Sequence, residues 1–307
     1  VSDSLKVMPN FIILGAMKSG TTSLHYYLSK HPEIFMSTPK ETNFFAEEFN
    51  WSKGLNWYRS CFAGYKGQKA VGETSPNYTK HPLFKGIPQR IFSVLGPVKF
   101  IYVVRDPVER LITHYMHSLW DGEDPGSLSE IVRKVNGSKY GYTGKYYEQI
   151  HRYLDYFPRE NFFIVDHHEL LNDRRKTLSR LFSFLEVDPD FYSPDFEAVL
   201  SPSRLYVRRN FFGKLWLPAS EKLWSFADPR AGKPKTDRFF VKTIPRPRLS
   251  SAEKRQLVDF FYDDVEKLRK FSGMSFAAWT AFQEHSGRAA EPARVDRVHA
   301  PSIPGAE

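Results

Sequence analysis

The stretch Phe11 to Leu28, FIILGAMKSGTTSLHYYL, decides the fold class. Phe11-Ile12-Ile13-Leu14 is a short apolar run ending at Gly15, the pattern of a strand buried on both faces of a parallel sheet. Gly15-Ala16-Met17-Lys18-Ser19-Gly20 follows as a glycine-bearing loop. From Ser23 to Lys30, apolar residues at Leu24, Tyr27 and Leu28 have helical spacing, and His31-Pro32 ends the run. Strand, loop and helix in this order present backbone N–H groups and a helix N-terminus to one point, which suits a phosphate.

A second unit of the same kind begins at Val98. Residues Val98 to Val104 (VKFIYVV) read as another buried strand. Asp106 then offers an N-cap, Pro107 stands at the first helical position, and Glu109 lies three residues after the cap. A helix is expected from there to about Trp120. Further on, Asn161 to Val165 predicts a strand, and Lys145 to Tyr156, Arg174 to Leu185 and Ala252 to Phe271 predict helices. Strands alternating with helices give an α/β fold.

Composition narrows the function classes. The 307 residues suffice for one large domain or two small ones. Aromatic residues make up 16% of the chain, which opposes global disorder. Cys61 is the single cysteine, so neither an intrachain disulfide nor a cysteine-rich zinc site can form. No run of roughly eighteen apolar residues is present, and Val1 to Asn10 has no signal-like apolar core. Cytoplasmic residence is therefore expected; a luminal domain stripped of its anchor is the alternative.

The net charge is +9, and its distribution is uneven. Between Ser201 and Ser250 twelve Lys and Arg face only Glu221, Asp228 and Asp237, so this segment alone carries the whole excess. It is rich in proline and weakly periodic, and reads as a long loop. Residues 1–9 are expected to be an N-terminal extension, 10–284 the catalytic domain, and 285–307 a disordered tail.

The loop at 15–20 is not a standard ATP-binding loop. Thr21 stands where that motif has lysine, and the lysine, Lys18, lies inside the loop. The second strand ends in Arg105, not in an acid that could hold Mg²⁺. A P-loop nucleotide kinase is thus one alternative. A nucleic-acid-binding protein is another, with Phe211, Phe212 and Trp216 interleaved in the basic segment.

Taken together these residues point to a family. Phe11 to Leu28 resembles the 5′-phosphosulfate loop of sulfotransferases that use 3′-phosphoadenosine 5′-phosphosulfate (PAPS). Phe100 to Tyr115 (FIYVVRDPVERLITHY) resembles their 3′-phosphate motif. Similarity extends through Thr38 to Phe45, Val71 to Tyr78, Tyr153 to Val187 and the helix after Leu249, covering roughly residues 10–275. It is strongest toward the heparan-sulfate-like and bacterial branch. The resemblance implies a P-loop-type three-layer α/β fold, with a central parallel sheet flanked by helices. It implies PAPS as sulfate donor, its bisphosphate PAP as product, and no metal.

The same resemblance implies residue roles. Lys18 matches the loop lysine on the leaving phosphate, and Glu41 matches the general base of the polysaccharide branch. Ser19, Gly20, Thr21, Thr22 and Ser23 would hold the 5′-phosphate. Arg105 would bind the 3′-phosphate with Thr113, which stands where the family usually has serine. Arg110 belongs to the same motif, as a residue able to pair within its helix. Thr74 replaces a lysine that heparan-type enzymes often carry, which opens the acceptor to glycans, lipids, carrier-bound chains or small alcohols. Glu73 is a possible assistant, Phe44 and Phe45 are expected to pack or wall the site, and His25, His31 and His81 are read as structural. Gly144 and Tyr146 resemble an element near the nucleotide, with packing an equal explanation. Lys233, Lys235 and Arg238 fall where relatives carry a basic loop over the nucleotide. No nucleic-acid partner is expected.

Overall fold

The structure is a computed structural model that describes residues 7–198, 207–209, 241–243 and 245–289. Its centre is a five-stranded sheet in the order β2-β3-β1-β4-β5. The strands are β1 Phe11–Gly15, β2 Ile34–Met36, β3 Ala70–Thr74, β4 Lys99–Val104 and β5 Phe162–Asp166. Every pairing is parallel, with Phe11 opposite Gly72 on one side and Lys99 on the other. Parallel strands need crossovers, and helices supply them.

Helices α1 Thr21–Leu28, α2 Gly54–Ser60, α3 Ile87–Leu95 and α4 Pro107–Trp120 come first. Short helices α5 Leu128–Arg133, α6 Lys139–Tyr142, α7 Tyr146–His151 and α8 His167–Asn172 follow, then α9 Arg174–Phe184, α10 Ser251–Ser272 and α11 Thr280–Ala289. A small antiparallel pair joins β6 Val207–Arg209 to β7 Val241–Thr243.

The sheet separates two cores, because successive strand side chains point to opposite faces. Phe11 and Ile13 of β1, with Ile101 and Val103 of β4, pack against Leu24, Tyr27 and Leu28 of α1 and Leu178, Leu181 and Phe182 of α9. Ile12 and Leu14, with Phe100, Tyr102 and Val104, face the helices of the other layer, including Leu111 of α4 and Leu257 and Phe261 of α10. This is the expected three-layer α/β architecture.

Two details differ from the sequence reading. The helix expected to reach Tyr156 ends at His151, because Tyr153 N–H bonds to Ile150 O and the chain tightens into turns. That bend carries Tyr153 and Phe157 onto Phe100 at 5.4 and 4.7 Å between ring centroids. Strands β2 and β3 were not anticipated, since β2 has three residues and β3 (AVGET) carries Gly, Glu and Thr in a buried strand. At the C-terminal side, α11 spans Thr280–Ala289. Residues 290–307, and most of the basic 201–250 segment with Lys233, Lys235 and Arg238, lie outside the described residues.

Candidate active site

Strand β1 sits between β3 and β4, so the chain leaves β1 toward one face and β4 toward the other. At such a switch point a crevice opens beyond the carboxyl ends of the strands, and open α/β sheets bind ligands there. Two of the stretches nominated as nucleotide-binding emerge at this edge. The loop 15–20 follows β1 and leads into α1; Arg105 follows β4 and leads into α4.

The loop is shaped as a cradle. Gly20 adopts φ +99°, and a Cβ on it would lie 2.9 Å from the His167 ring. Lys18 holds φ +67°, a left-handed conformation that costs a residue with a Cβ about 1 kcal/mol. Helix α1 has Gly20 as N-cap and no side-chain cap bond, so its first N–H groups are offered outward. Ser19 Oγ, buried beside the Tyr146 phenol, has no partner in bonding geometry. An orphaned buried hydroxyl at an uncapped helix N-terminus fits a phosphate group. Thr21 is buried and Ser23 half-buried in the first turn.

The glutamate loop is tied to this cradle through Lys40. Its Nζ donates to Thr22 Oγ1 at 3.0 Å and to Glu41 Oε1 at 2.9 Å. Glu41 is 43% exposed. The loop is fixed from below by Glu73, which is fully buried at the end of β3. Tyr58 donates to it at 2.7 Å and Ser75 at 2.8 Å; Thr42 and Tyr78 donate as well. Glu73 is therefore an anchor for the Glu41 loop rather than an assistant facing the acceptor. Phe44 and Phe45 are buried, Phe44 stacking on Tyr58 at 4.3 Å, so both pack.

The structure brings Lys18, Glu41 and Arg105 into one electrostatic neighbourhood. Burial lowers the Lys18 pKa most; Asp121 opposes this, Lys40 and Arg105 add to it, and Glu41 opposes it. Arg105 is anchored at its carbonyl by the Tyr146 hydroxyl at 2.7 Å, and its Nη2 lies 3.5 Å from Glu109 Oε2. Gly144 is packing: a Cβ there would lie 2.8 Å from the Phe261 ring. Thr113 donates its hydroxyl to Glu109 O at 2.8 Å. Arg110 is fully buried and donates to Tyr140 O, with His114 Nδ1 3.3 Å away, so it pairs with a carbonyl and a ring rather than an acid.

Four residues at this edge escaped the sequence reading. His167, at the end of β5, packs against Gly20; burial and then Arg105 push its pKa down to about 4. Lys80, after the turn Pro76–Thr79, is desolvated to a pKa of about 8, with Glu41 opposing the shift. His117 Nε2 lies 3.5 Å from Asp121 Oδ2, while its Nδ1 is buried without a partner. Burial and then Lys18 lower the His117 pKa. Thr113, His117 and Asp121 recur every four residues, a one-face helical pattern that could have found them. Of the three histidines read as structural, His25 Nδ1 lies 2.9 Å from Thr74 Oγ1, and burial and then Lys40 push its pKa down to about 3. His31 Nε2 is 3.0 Å from Asp188 O, and the His81 N–H bonds Gln149. No cluster of metal ligands occurs among the described residues, and no described helix is long and apolar enough to cross a membrane.

Residues 8–202 match the family described as "Sulfotransferase domain", and the chain belongs to that family. It is 25% identical to the crystal structure of a sulfotransferase from Alicyclobacillus acidocaldarius, at a TM-score of 0.65, over 89% of this chain and 99% of that one. It is 40% identical over 122 residues to the membrane-associated sulfotransferase kil1 of Dictyostelium discoideum, covering 39% of this chain and 25% of that protein. It is 29% identical over 201 residues to mouse heparan sulfate glucosamine 3-O-sulfotransferase 5, covering 61% of this chain and 56% of that one. The chain thus spans a quarter and just over half of these two curated relatives.

Proposed function

We propose that this protein moves a sulfuryl group from PAPS to a hydroxyl or amine of an acceptor. The observation that carries the reading is the convergence of the cradle at 18–23, Arg105 and Glu41 on one edge of the sheet. The donor supplies an activated sulfur whose departure leaves negative charge on a phosphate oxygen. Lys18 is placed to stabilise that charge, by the preorganised electrostatics that serve an oxyanion. Its lowered pKa reflects desolvation, which strengthens the interaction once an anion is present. Ser19 to Ser23 hold the 5′-phosphate, and Arg105 with Thr113 the 3′-phosphate. Thr113 must rotate its hydroxyl away from Glu109 O to donate.

Glu41 takes the acceptor proton as the new bond to sulfur forms. Lys40 orients its carboxylate and ties it to the phosphate loop, so donor binding and base placement are linked. Lys80 supplies a cation at the acceptor side where Thr74 provides none. That favours acceptors carrying negative charge among glycans, carrier-bound chains and lipids.

Glu41→Gln is expected to lower turnover by roughly 10²- to 10⁴-fold. PAP binding should be retained, because the residues assigned to the nucleotide phosphates are unchanged. Turnover is read by mass spectrometry as addition of one SO₃ across a panel of acceptor classes. Undiminished turnover would remove Glu41 from the mechanism.

A further inference from the structure

Thr22 and His25 lie three residues apart on α1 and so share a face of that helix. Both are linked to Lys40, the residue before the candidate base. Thr22 Oγ1 accepts from Lys40 Nζ at 3.0 Å, and the same Nζ donates to Glu41 Oε1 at 2.9 Å. His25 reaches the main chain of Lys40 through one intermediary. Its Nδ1 lies 2.9 Å from Thr74 Oγ1, and Thr74 N donates to Lys40 O at 3.3 Å.

Thr74 is fully buried at the carboxyl end of β3, so its hydroxyl serves a partner within the protein. A buried hydroxyl is costly to leave unpaired, which holds Thr74 to the imidazole. Burial and then the Lys40 charge push the His25 pKa down to about 3. The ring is therefore neutral at ordinary pH and does not repel the ammonium group. A neutral imidazole bonds a hydroxyl in either tautomer, since the hydroxyl both donates and accepts. Beside Thr74, Glu73 is fixed by its own hydroxyl donors. The helix α1, the end of β3 and the Glu41 loop are thus tied into one closed circuit of contacts.

We propose that His25 is a positioning residue for the general base. Through Thr74 it fixes the Lys40 main chain, and with it the Glu41 carboxylate, against the helix that receives the donor phosphate. This rests on the sulfotransferase reading given above. When Thr22 turns its hydroxyl proton toward a phosphate, its oxygen still accepts from Lys40. The tether from His25 is separate from that exchange, so the base keeps its place whether the donor site is filled or empty. Helix α1 then mounts both halves of the reaction, the leaving group at its N-terminus and the base on its His25 face. A base displaced from hydrogen-bond reach of the acceptor loses rate steeply.

The test uses the full chain with PAPS and four acceptors: a phenol, a fatty alcohol, a hexosamine and an unsulfated glycosaminoglycan oligosaccharide. Sulfation is read by mass spectrometry. On the acceptor that the wild type sulfates fastest, His25→Leu should lower kcat by roughly 10- to 100-fold. The KM for PAPS and the calorimetric affinity for PAP should stay within about twofold. His25→Asn, whose amide stands where Nδ1 does, should recover most of the rate. Thr74→Val should match His25→Leu, and the double variant should be no slower than either, because both break one tether. Thr74→Ser keeps the hydroxyl and should keep the rate. If His25→Leu does not fold, Thr74→Val against Thr74→Ser decides by the same comparison. Wild-type kcat in His25→Leu, equal losses of rate and PAP affinity, or losses that multiply in the double variant overturn the positioning role. A wild-type chain that sulfates none of the acceptors overturns the sulfotransferase reading with it.

Discussion

Glu73 has no exposure, yet it carries a carboxyl group, and four hydroxyls account for that. Burial raises its pKa, while the bonds from Thr42, Tyr58, Ser75 and Tyr78 hold it down. The donors come from four separate points of the chain and converge on one group. Removing it leaves several buried hydroxyls without an acceptor. Glu73→Ala is therefore expected to cost about 3 kcal/mol of stability, and Glu73→Gln about 1 kcal/mol. Urea unfolding measures both; an alanine variant with the wild-type midpoint would refute the anchor role. In the sequence, Glu73 could be read only as a carboxylate near a motif. Nothing local distinguishes an anchor from a base, because the donors are up to 31 residues away. Lys18, Glu41 and Arg105 could be nominated for the opposite reason, since each lies in a contiguous stretch that resembles a motif of the family.

At the scale of elements, the short helix α7 depends on a neighbour. Its N-cap, Lys145, makes no side-chain cap bond. Asp264 of α10 supplies it instead, accepting from Glu148 N at 2.8 Å and Tyr147 N at 3.0 Å. Burial pushes the Asp264 carboxyl up to about 7, and the two N–H bonds only partly oppose this. Its folded pKa thus lies above the unfolded value of 3.8. The associated stabilisation is complete below about pH 4 and is lost as pH rises through about 7. Asp264→Asn should remove that pH dependence. The difference in melting temperature between wild type and variant should change across pH 4 to 8; a constant difference would contradict it. The helix expected over Ala252 to Phe271 is present, but its sequence does not mark Asp264 as a buried polar group. A cap supplied from another helix leaves no mark at the helix it serves. For α4 the cap, the proline and the acid are all local, and sequence placed its start correctly at Asp106 and Pro107.

At the scale of the molecule, the sheet order β2-β3-β1-β4-β5 makes the site, and close approach of β1 to β3 makes the order. Gly72 lies opposite Phe11, and a Cβ there would sit 2.1 to 2.5 Å from atoms of its ring. Gly72→Ala is expected to destabilise the fold by about 2–3 kcal/mol through overpacking. Phe11→Leu in the same chain should recover part of that loss in thermal unfolding. An alanine variant as stable as wild type would show that the two strands can separate at no cost.

What the sequence determined by itself was local chemistry. Two buried strands, two helix starts and the phosphate loop follow from periodicity, caps and glycine, all within a few residues of one another. The α/β class came with them, and the resemblance to the family nominated Lys18, Glu41 and Arg105. Only the tertiary structure decided which strands adjoin, which helix caps which, and how Glu73, Lys80, His117 and His167 lie relative to Lys18, Glu41 and Arg105. These depend on contacts between distant segments, where burial sets the charge of a group and its partners set its role.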